Sequence, residues 1–357
     1  MKSFITNFFY YVEMISHSKP WITREDQRAV AQQLKSGMLA RGLKVREFED
    51  AISKYMGTLG TVTAGSGTSA LMFGLRILDV GPGDEAILPT YVCHSVLDAV
   101  RQVGAAPVFC DVEKNWNMTV ETAAPLVSSK TKVIIVVHIF GNAADTTSFM
   151  QLGLPIIEDC CQAFGAKTNG KMVGNIGSFG AFSFHATKCM TTGEGGALTT
   201  NDPILLERMK SLATDNKSLS PMSDLQAVLG LSQISRYDVM VARRHEIANR
   251  YFQEFEDLEI IASRNNARSS IYFRYPVKFQ NYNFEDLQEA YYKRGIHVRR
   301  GVDKLLHREM NLLDKKFPEA ARLFQQTLSI PIYPSLTEPE QQKIIESTKD
   351  IFCKKCI

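Results

Sequence analysis

The chain has 357 residues, of which 45% are hydrophobic and 22% charged, with a formal net charge of +3. That length allows two or three domains and a large core, and the composition is that of an ordinary globular protein. Basic residues are spread along the chain, so its charge offers nothing to nucleic acid.

The first element is the apolar run FITNFFYYVEMI, interrupted by Asn7 and Glu13. It is too short to span a bilayer, and no small-residue cleavage site follows it. It reads as a packed or dimer-facing segment, no membrane partner is expected, and the lack of a secretion signal points to the cytoplasm. The seven cysteines form no disulfide-like framework, which fits a reducing compartment. Cys353 and Cys356 make a lone C-x-x-C, whereas a structural zinc site needs a second pair. No His/Cys/Asp cluster has metal-ligand spacing, so no metal is expected.

From about residue 61 to 200, short apolar runs alternate with helical patterns. The runs are 61–64, 85–89, 106–110, 132–138, 155–158, 180–183 and 195–200. Strands alternating with helices predict an α/β sheet, mostly parallel and covered on both faces. Ligands of such sheets bind at the carboxyl ends of the strands. Ser223 or Asp224 then caps a long helical pattern that suggests a spine joining two domains. The remainder, from about residue 260, holds a strand-like stretch 271–279, a helix near 284–294 and a capped helix from Thr337. The chain therefore divides into a large α/β unit, 1–235, and a small C-terminal α+β unit, 236–357.

Three segments carry candidate chemistry. In TVTAGSGTSAL, Gly65, Gly67 and Ala70 sit between a β-branched run and a helical face of Ala70, Leu71, Gly74, Leu75 and Leu78. A helix N-terminus after a glycine turn is a ready anion site, although a plain strand–helix turn looks the same. A dinucleotide site would also want an acid closing the next strand, but Asp84 and Glu85 open it. In LPIIEDCCQAFGA a buried strand ends in Glu158 and Asp159, and taken alone Asp159 reads as a cap. In GSFGAFSFHATKCMTTGEGGALTT, Lys188 lies among small residues between two core strands. It is either a snorkelling lysine or a Schiff-base lysine, a role for which burial suits the amine. His138, in a strand, reads as a hydrogen-bonded core residue.

The ordered set AGSGTSAL, GPGDEAILPTY, VVHIFGNAAD, EDCCQAFGA, SFHATK with GEGGALTT, and MSDLQAVLGLSQ resembles the DegT/DnrJ/EryC1/StrS aminotransferases. The resemblance implies the aspartate aminotransferase-like fold-type-I architecture, a large mostly parallel seven-stranded sheet with a small C-terminal α+β domain, and pyridoxal 5′-phosphate as cofactor. By position it implies Lys188 as the residue linked to the cofactor and Asp159 as the partner of the pyridine nitrogen. Gln162 would bond the ring hydroxyl. Ser183, Gly67 and Thr68 would hold the phosphate. The implied reaction moves an amino group, typically from glutamate, to a keto sugar on a nucleoside diphosphate, as in amino-sugar biosynthesis for a surface polysaccharide or secondary metabolite. The active site would lie between the two subunits of a homodimer.

Where the family carries an aromatic residue that stacks on the ring, this chain has Cys93; Tyr91 or His94 is the expected substitute. His185 and His94 are the expected substrate contacts. Before MSDLQ the family's Asn-Tyr-Arg is replaced by Leu219-Ser220-Pro221, and GIHVRRGVDKLLHREM matches only loosely. Alternative readings keep the cofactor but use a non-sugar ketone, or a dehydratase chemistry that Lys188 argues against, or describe a non-catalytic regulatory relative.

Overall fold

The computed structural model describes residues 14–214, 220–258, 260–262 and 270–352. The strands of its first half are Gly60–Ala64 (β1), Glu85–Pro89 (β2), Ala106–Cys110 (β3), Thr131–Val137 (β4), Ile156–Asp159 (β5), Lys167–Thr168 (β6), Lys171–Met172 (β7), Phe179–Ser183 (β8) and Gly196–Thr200 (β9). β6 and β7 form a separate hairpin. The other seven form one sheet in the order β1-β9-β8-β5-β4-β2-β3. All seven expected runs are these strands, each shifted by no more than a residue at either end.

β8, β5, β4, β2 and β3 are mutually parallel, and β9 runs antiparallel to both of its neighbours. Six strands therefore point the same way and end at one edge. Asp159 closes β5 and Ser183 closes β8 at that edge. The chain leaving β1 and β2 emerges there too.

The helices of this half are Arg24–Ser36 (α1), Leu43–Met56 (α2), Gly67–Ile77 (α3), His94–Gln102 (α4), Val120–Ala123 (α5), Thr146–Phe149 (α6), Pro203–Thr214 (α7), Asp224–Ile234 (α8) and Tyr237–Glu254 (α9). Side chains alternate across each strand, so both faces of the sheet are apolar. Val133, Ile135, Ile157 and Leu198 pack with Leu71 and Phe73 of α3 on one face. Ile134, Val136 and Ile156 pack on the other with Phe149 of α6. Fully burying one such side chain contributes roughly 1.5–3 kcal/mol.

The helical run after Ser223 begins as expected, with a capping box between Ser223 and Gln226. It is not one helix, however. α8 ends at Ile234 and α9 starts at Tyr237. The interruption coincides with a tertiary ion pair: Arg236 reaches across to the buried carboxylate of Asp26 at 2.6 and 2.8 Å and to the carbonyl of Trp21 at 3.1 Å. Helical periodicity carries no trace of such a partner.

The second half forms a four-stranded antiparallel sheet from Ile260–Ala262 (β10), Tyr275–Phe279 (β11), Arg299–Arg300 (β12) and Thr327–Ile330 (β13), in the order β10-β11-β13-β12. Its helices are Phe284–Lys293 (α10), Leu306–Glu309 (α11), Pro318–Gln326 (α12) and Glu338–Phe352 (α13). α10 is capped by Asn283, and Thr337 caps α13 through the Glu340 N–H. Ile247, Ala248 and Tyr251 of α9 share a core with Val277, Leu328 and Ile344.

The expected strand 271–279 is only half a strand. Ile271 N–H donates to the Gly141 carbonyl at 3.2 Å and Arg274 N–H to the Phe140 carbonyl at 3.3 Å. The segment before β11 is thus clipped to the loop after β4, and Tyr272 takes a left-handed φ of 48°. Of the N-terminal apolar run, Met14 and Ile15 are described. Ile15 is buried and bridges Ile296. The rest of that run, Leu219 and the Cys353/Cys356 pair lie outside the described residues.

His138 is a core residue, as expected. Its Nδ1 accepts from the Ala144 N–H at 2.9 Å, so Nε2 carries the hydrogen and donates to Glu158 at 3.1 Å. The Glu158 carboxylate also accepts from Thr146 Oγ1 and from the N–H groups of Ile176 and Gly177, at 2.8–3.0 Å. Burial alone would raise its pKa. These donors outweigh that effect and hold it below the usual carboxylate range. Glu158→Gln puts an amide donor against donors, and is expected to lower stability by about 1–3 kcal/mol in urea unfolding. A lowered native pKa means the wild-type advantage is full above about pH 4.3 and fades as the pH falls through the native value. An unfolding midpoint unchanged by the substitution at neutral pH would contradict this role.

Candidate active site

A cavity of about 610 Å³ opens at the edge where the parallel strands end. α3 aims its first turn into it, with Ser66 as the cap through the Ser69 N–H and Ser66, Gly67 and Thr68 on the wall. Gly67 is required by contact. A Cβ there would lie 2.8 Å from Ser183 Cβ and 2.9 Å from Cys161 Sγ. The helix N-terminus is thereby set directly against the ends of β5 and β8. Its N–H groups and dipole suit an anion.

Asp159, Gln162, Ser183 and Lys188 line the same cavity. Asp159 is buried, and its Oδ1 accepts from the Cys161 N–H at 3.0 Å. The short turn that an aspartate forms on its own backbone fixes this carboxylate at the strand end. Gln162 Oε1 accepts from the Phe140 N–H at 2.8 Å, which leaves its amide nitrogen as the donor available to a ligand. Ser183 Oγ accepts a longer bond of 3.4 Å from the His185 N–H. Lys188 sits in the turn between β8 and β9, with its backbone N–H on the His185 carbonyl. Its Nζ lies 5.0 Å from the Phe273 ring centroid, and among the described residues it has no ion-pair partner. Beside it, the Cys161 thiol is held protonated, first by burial and then by the Asp159 charge.

His94 and His185 stand on the wall as well. His94 links Asp98 at 2.9 Å and Glu309 at 3.0 Å, and His185 faces Glu194 at 3.5 Å. Both side chains are about half exposed.

Tyr91 does not reach the cavity, which corrects the expectation for it. Its side chain is buried in the apolar cluster, edge-on to Phe140, with its hydroxyl 2.1 Å from where a Cβ on Gly301 would be. The preceding residue is held in the same interior. Thr90 is pinned on both sides by His307, whose N–H donates to Thr90 Oγ1 at 3.0 Å while Nδ1 lies 2.7 Å from the same oxygen. Past β2, Tyr91 is buried and Cys93 lies on the wall.

The second half of the chain completes the cavity with Phe273 and Arg274, which did not stand out in the sequence, and with Arg299 of the loosely matching GIHVRRGVDKLLHREM segment. Phe273 and Arg274 belong to the clipped segment before β11. A run that reads as an apolar strand gives no signal that two of its residues turn into a site.

The model of the DegT/DnrJ/EryC1/StrS aminotransferase family matches residues 20–349. The chain is 31% identical to the spore coat polysaccharide biosynthesis protein SpsC of Bacillus subtilis (strain 168), over 94% of this chain and 97% of that protein. It is 28% identical to a GDP-perosamine synthase of Escherichia coli O157:H7, over 94% and 98%. A Streptococcus pneumoniae protein assigned as a sugar aminotransferase, solved in its PLP form, superposes with a TM-score of 0.89 at 28% identity, over 95% of this chain and 98% of that one. The seven-stranded sheet and this likeness make the architecture fold type I. Lys188, Asp159 and Gln162 gathered around one cavity, with the match along nearly the whole sequence, lead to one conclusion: the chain belongs to the DegT/DnrJ/EryC1/StrS aminotransferase family.

Proposed function

We propose that the chain is a pyridoxal-phosphate-dependent aminotransferase that moves an amino group, from a donor such as glutamate, to a keto sugar on a nucleoside diphosphate. The observation that carries this is the convergence on one wall of an amine (Lys188), a carboxylate (Asp159), an amide (Gln162) and a helix N-terminus (Gly67, Thr68). Those groups fit the cofactor, since each matches one of its polar features. The close approach of Gly67 to Ser183 supports a cradle for the phosphate. The relatives' names, which include a GDP-sugar enzyme, support the acceptor class.

When bound, the cofactor supplies an aldehyde that links to amines and a ring that takes up electrons from the reacting carbon. Lys188 Nζ holds the cofactor between turnovers and moves the proton at the substrate carbon during them. Asp159 keeps a proton on the ring nitrogen. Gln162 donates its amide N–H to the ring hydroxyl. Ser183 Oγ and the first N–H groups of α3 hold the phosphate. His94 and His185, at the rim, meet the hydroxyls of the sugar.

The proposal includes a cytoplasmic homodimer, and a division of the chain into 1–235 and 236–357 near the interruption at Ser235 and Arg236. Among the described residues no helix is long and apolar enough to cross a membrane. Leu34, Met38, Leu39 and Leu43 are exposed around the α1–α2 turn, and such a patch supports a partner surface.

Borohydride reduction should fix the cofactor to the protein, with Lys188 in the labelled peptide. Lys188→Ala should stay folded and bind cofactor without the covalent link, with no measurable turnover. Labelling of another lysine would overturn the assignment. Asp159→Asn should retain cofactor and lose about a hundredfold or more in kcat, since about 3 kcal/mol of transition-state stabilisation is two decades of rate. Near-normal turnover would reduce Asp159 to a strand-end acid. Sedimentation should show a dimer, and a cofactor-loaded monomer would remove the shared-site model.

A further inference from the structure

The segment before β11 reaches the cavity wall by leaving regular structure, so its backbone groups need partners elsewhere. The N–H groups of Ile271 and Arg274 go to the carbonyls of Gly141 and Phe140. Two carbonyls between them, those of Tyr272 and Phe273, go to Arg244. Tyr272 takes its left-handed φ of 48° between these two sets of bonds. A tyrosine persists in that conformation only where its surroundings over-determine it. Gly141 shows how closely the segment is held: a Cβ there would lie 2.9 Å from the Phe273 backbone nitrogen.

Arg244 comes from the middle of α9 and is 3% exposed. Its Nη1 donates to the carbonyls of Tyr272 at 2.9 Å, Phe273 at 3.3 Å and Ile332 at 3.0 Å, so one hydrogen is shared. Nε is buried without a partner, and among the described residues no carboxylate pairs with the guanidinium. A cation buried on carbonyls alone is costly, and an apolar residue would fill the core of α9 without that penalty. What the arginine adds is a tie between α9, the segment before β11 and the chain after β13. α9 also holds the Tyr272 ring, edge-on to His245 and Phe252 with centroids 5.0 and 6.0 Å away.

This arrangement delivers the Phe273 ring to Lys188. Its centroid lies 5.0 Å from Lys188 Nζ, and the ring forms part of the cavity wall. An aromatic face at that distance both attracts an ammonium group and covers it. Arg244 is also near Lys188 in its own right. Burial pushes the Cys189 thiol up, and the charges of Arg244 and Lys188 both act against that. Both cations therefore lie within electrostatic reach of the residue that follows the lysine.

We infer that Arg244 is a positioning residue for Lys188: by holding the Tyr272 and Phe273 carbonyls it keeps the Phe273 ring against the lysine amine. The consequence for catalysis rests on the aminotransferase reading, but the contact itself needs neither cofactor nor turnover.

Competitive acetylation of the full chain freed of cofactor, read by peptide mass spectrometry, tests it. Lys304, on the same cavity, is the internal reference. Arg244→Gln should speed acetylation of Lys188 about two- to fivefold against Lys304, the size of one partly exposed cation–π contact. Phe273→Leu should do the same, and the double variant should go no further, because both changes remove one contact. Arg244→Lys keeps the charge and a donor, so it should fall between wild type and Arg244→Gln. It takes the place of the glutamine variant beside Phe273→Leu should that variant fail to fold. A merely structural arginine would lower the urea midpoint and leave the Lys188 ratio unchanged. That result, or effects of the two positions that simply add, would overturn the inference. If borohydride labels a lysine other than Lys188 in the loaded protein while the acetylation coupling holds, the aminotransferase reading fails and Arg244 still positions Lys188.

Discussion

The active-site edge depends on how the end of β5 is held. Adjacent residues of a strand face opposite ways, so Glu158 and Asp159 cannot share an environment. Glu158 turns into the protein, where it accepts hydrogen bonds from His138, Thr146, Ile176 and Gly177. Those donors come from the loop after β4, from α6 and from the approach to β8. One buried carboxylate thus ties three segments to one point. A buried charge is tolerated only when so fully satisfied, and that satisfaction makes the strand end rigid. Asp159 inherits the rigidity and presents its own carboxylate to the cavity.

The remaining walls are set by contacts between the two sheets. The loop after β4 bends through Phe140, whose φ of 59° is left-handed, and its carbonyl receives the Arg274 N–H. Its N–H in turn donates to Gln162. One loop therefore holds an amide from the turn after β5 and the backbone of the segment before β11. The Thr90–His307 contact performs the same service across the mouth, joining the end of β2 to α11, with Cys93 on the wall.

Electrostatically the cavity is divided. The acids on its rim are engaged by Arg299, His94 and His185. Lys188 and Arg274 both approach the Phe273 ring and have no carboxylate partners among the described residues. A site that takes up anions gains from cations left without partners, because each anion then brings the counter-charge that the fold omits.

The sequence by itself determined the large sheet, because seven short apolar runs bounded by turn residues have few other ways to bury both faces. Its motifs also pointed to Lys188, Asp159, Gln162, Ser183, Gly67 and Thr68, by their positions in the segments that resemble the family. Their convergence is a consequence of parallel strands ending at one edge. Only the tertiary structure decided what depends on partners far away in the chain. Arg236 paired with Asp26 accompanies the division of one helical pattern into two helices. Backbone bonds to the Phe140 loop shortened the strand at 271–279 and turned Phe273 and Arg274 inward. Tyr91 is buried in the apolar cluster beside Thr90, which bonds His307, while Cys93 and His94 line the cavity. Periodicity records which face of an element is apolar, but not which distant hydrogen-bonding group will capture its end.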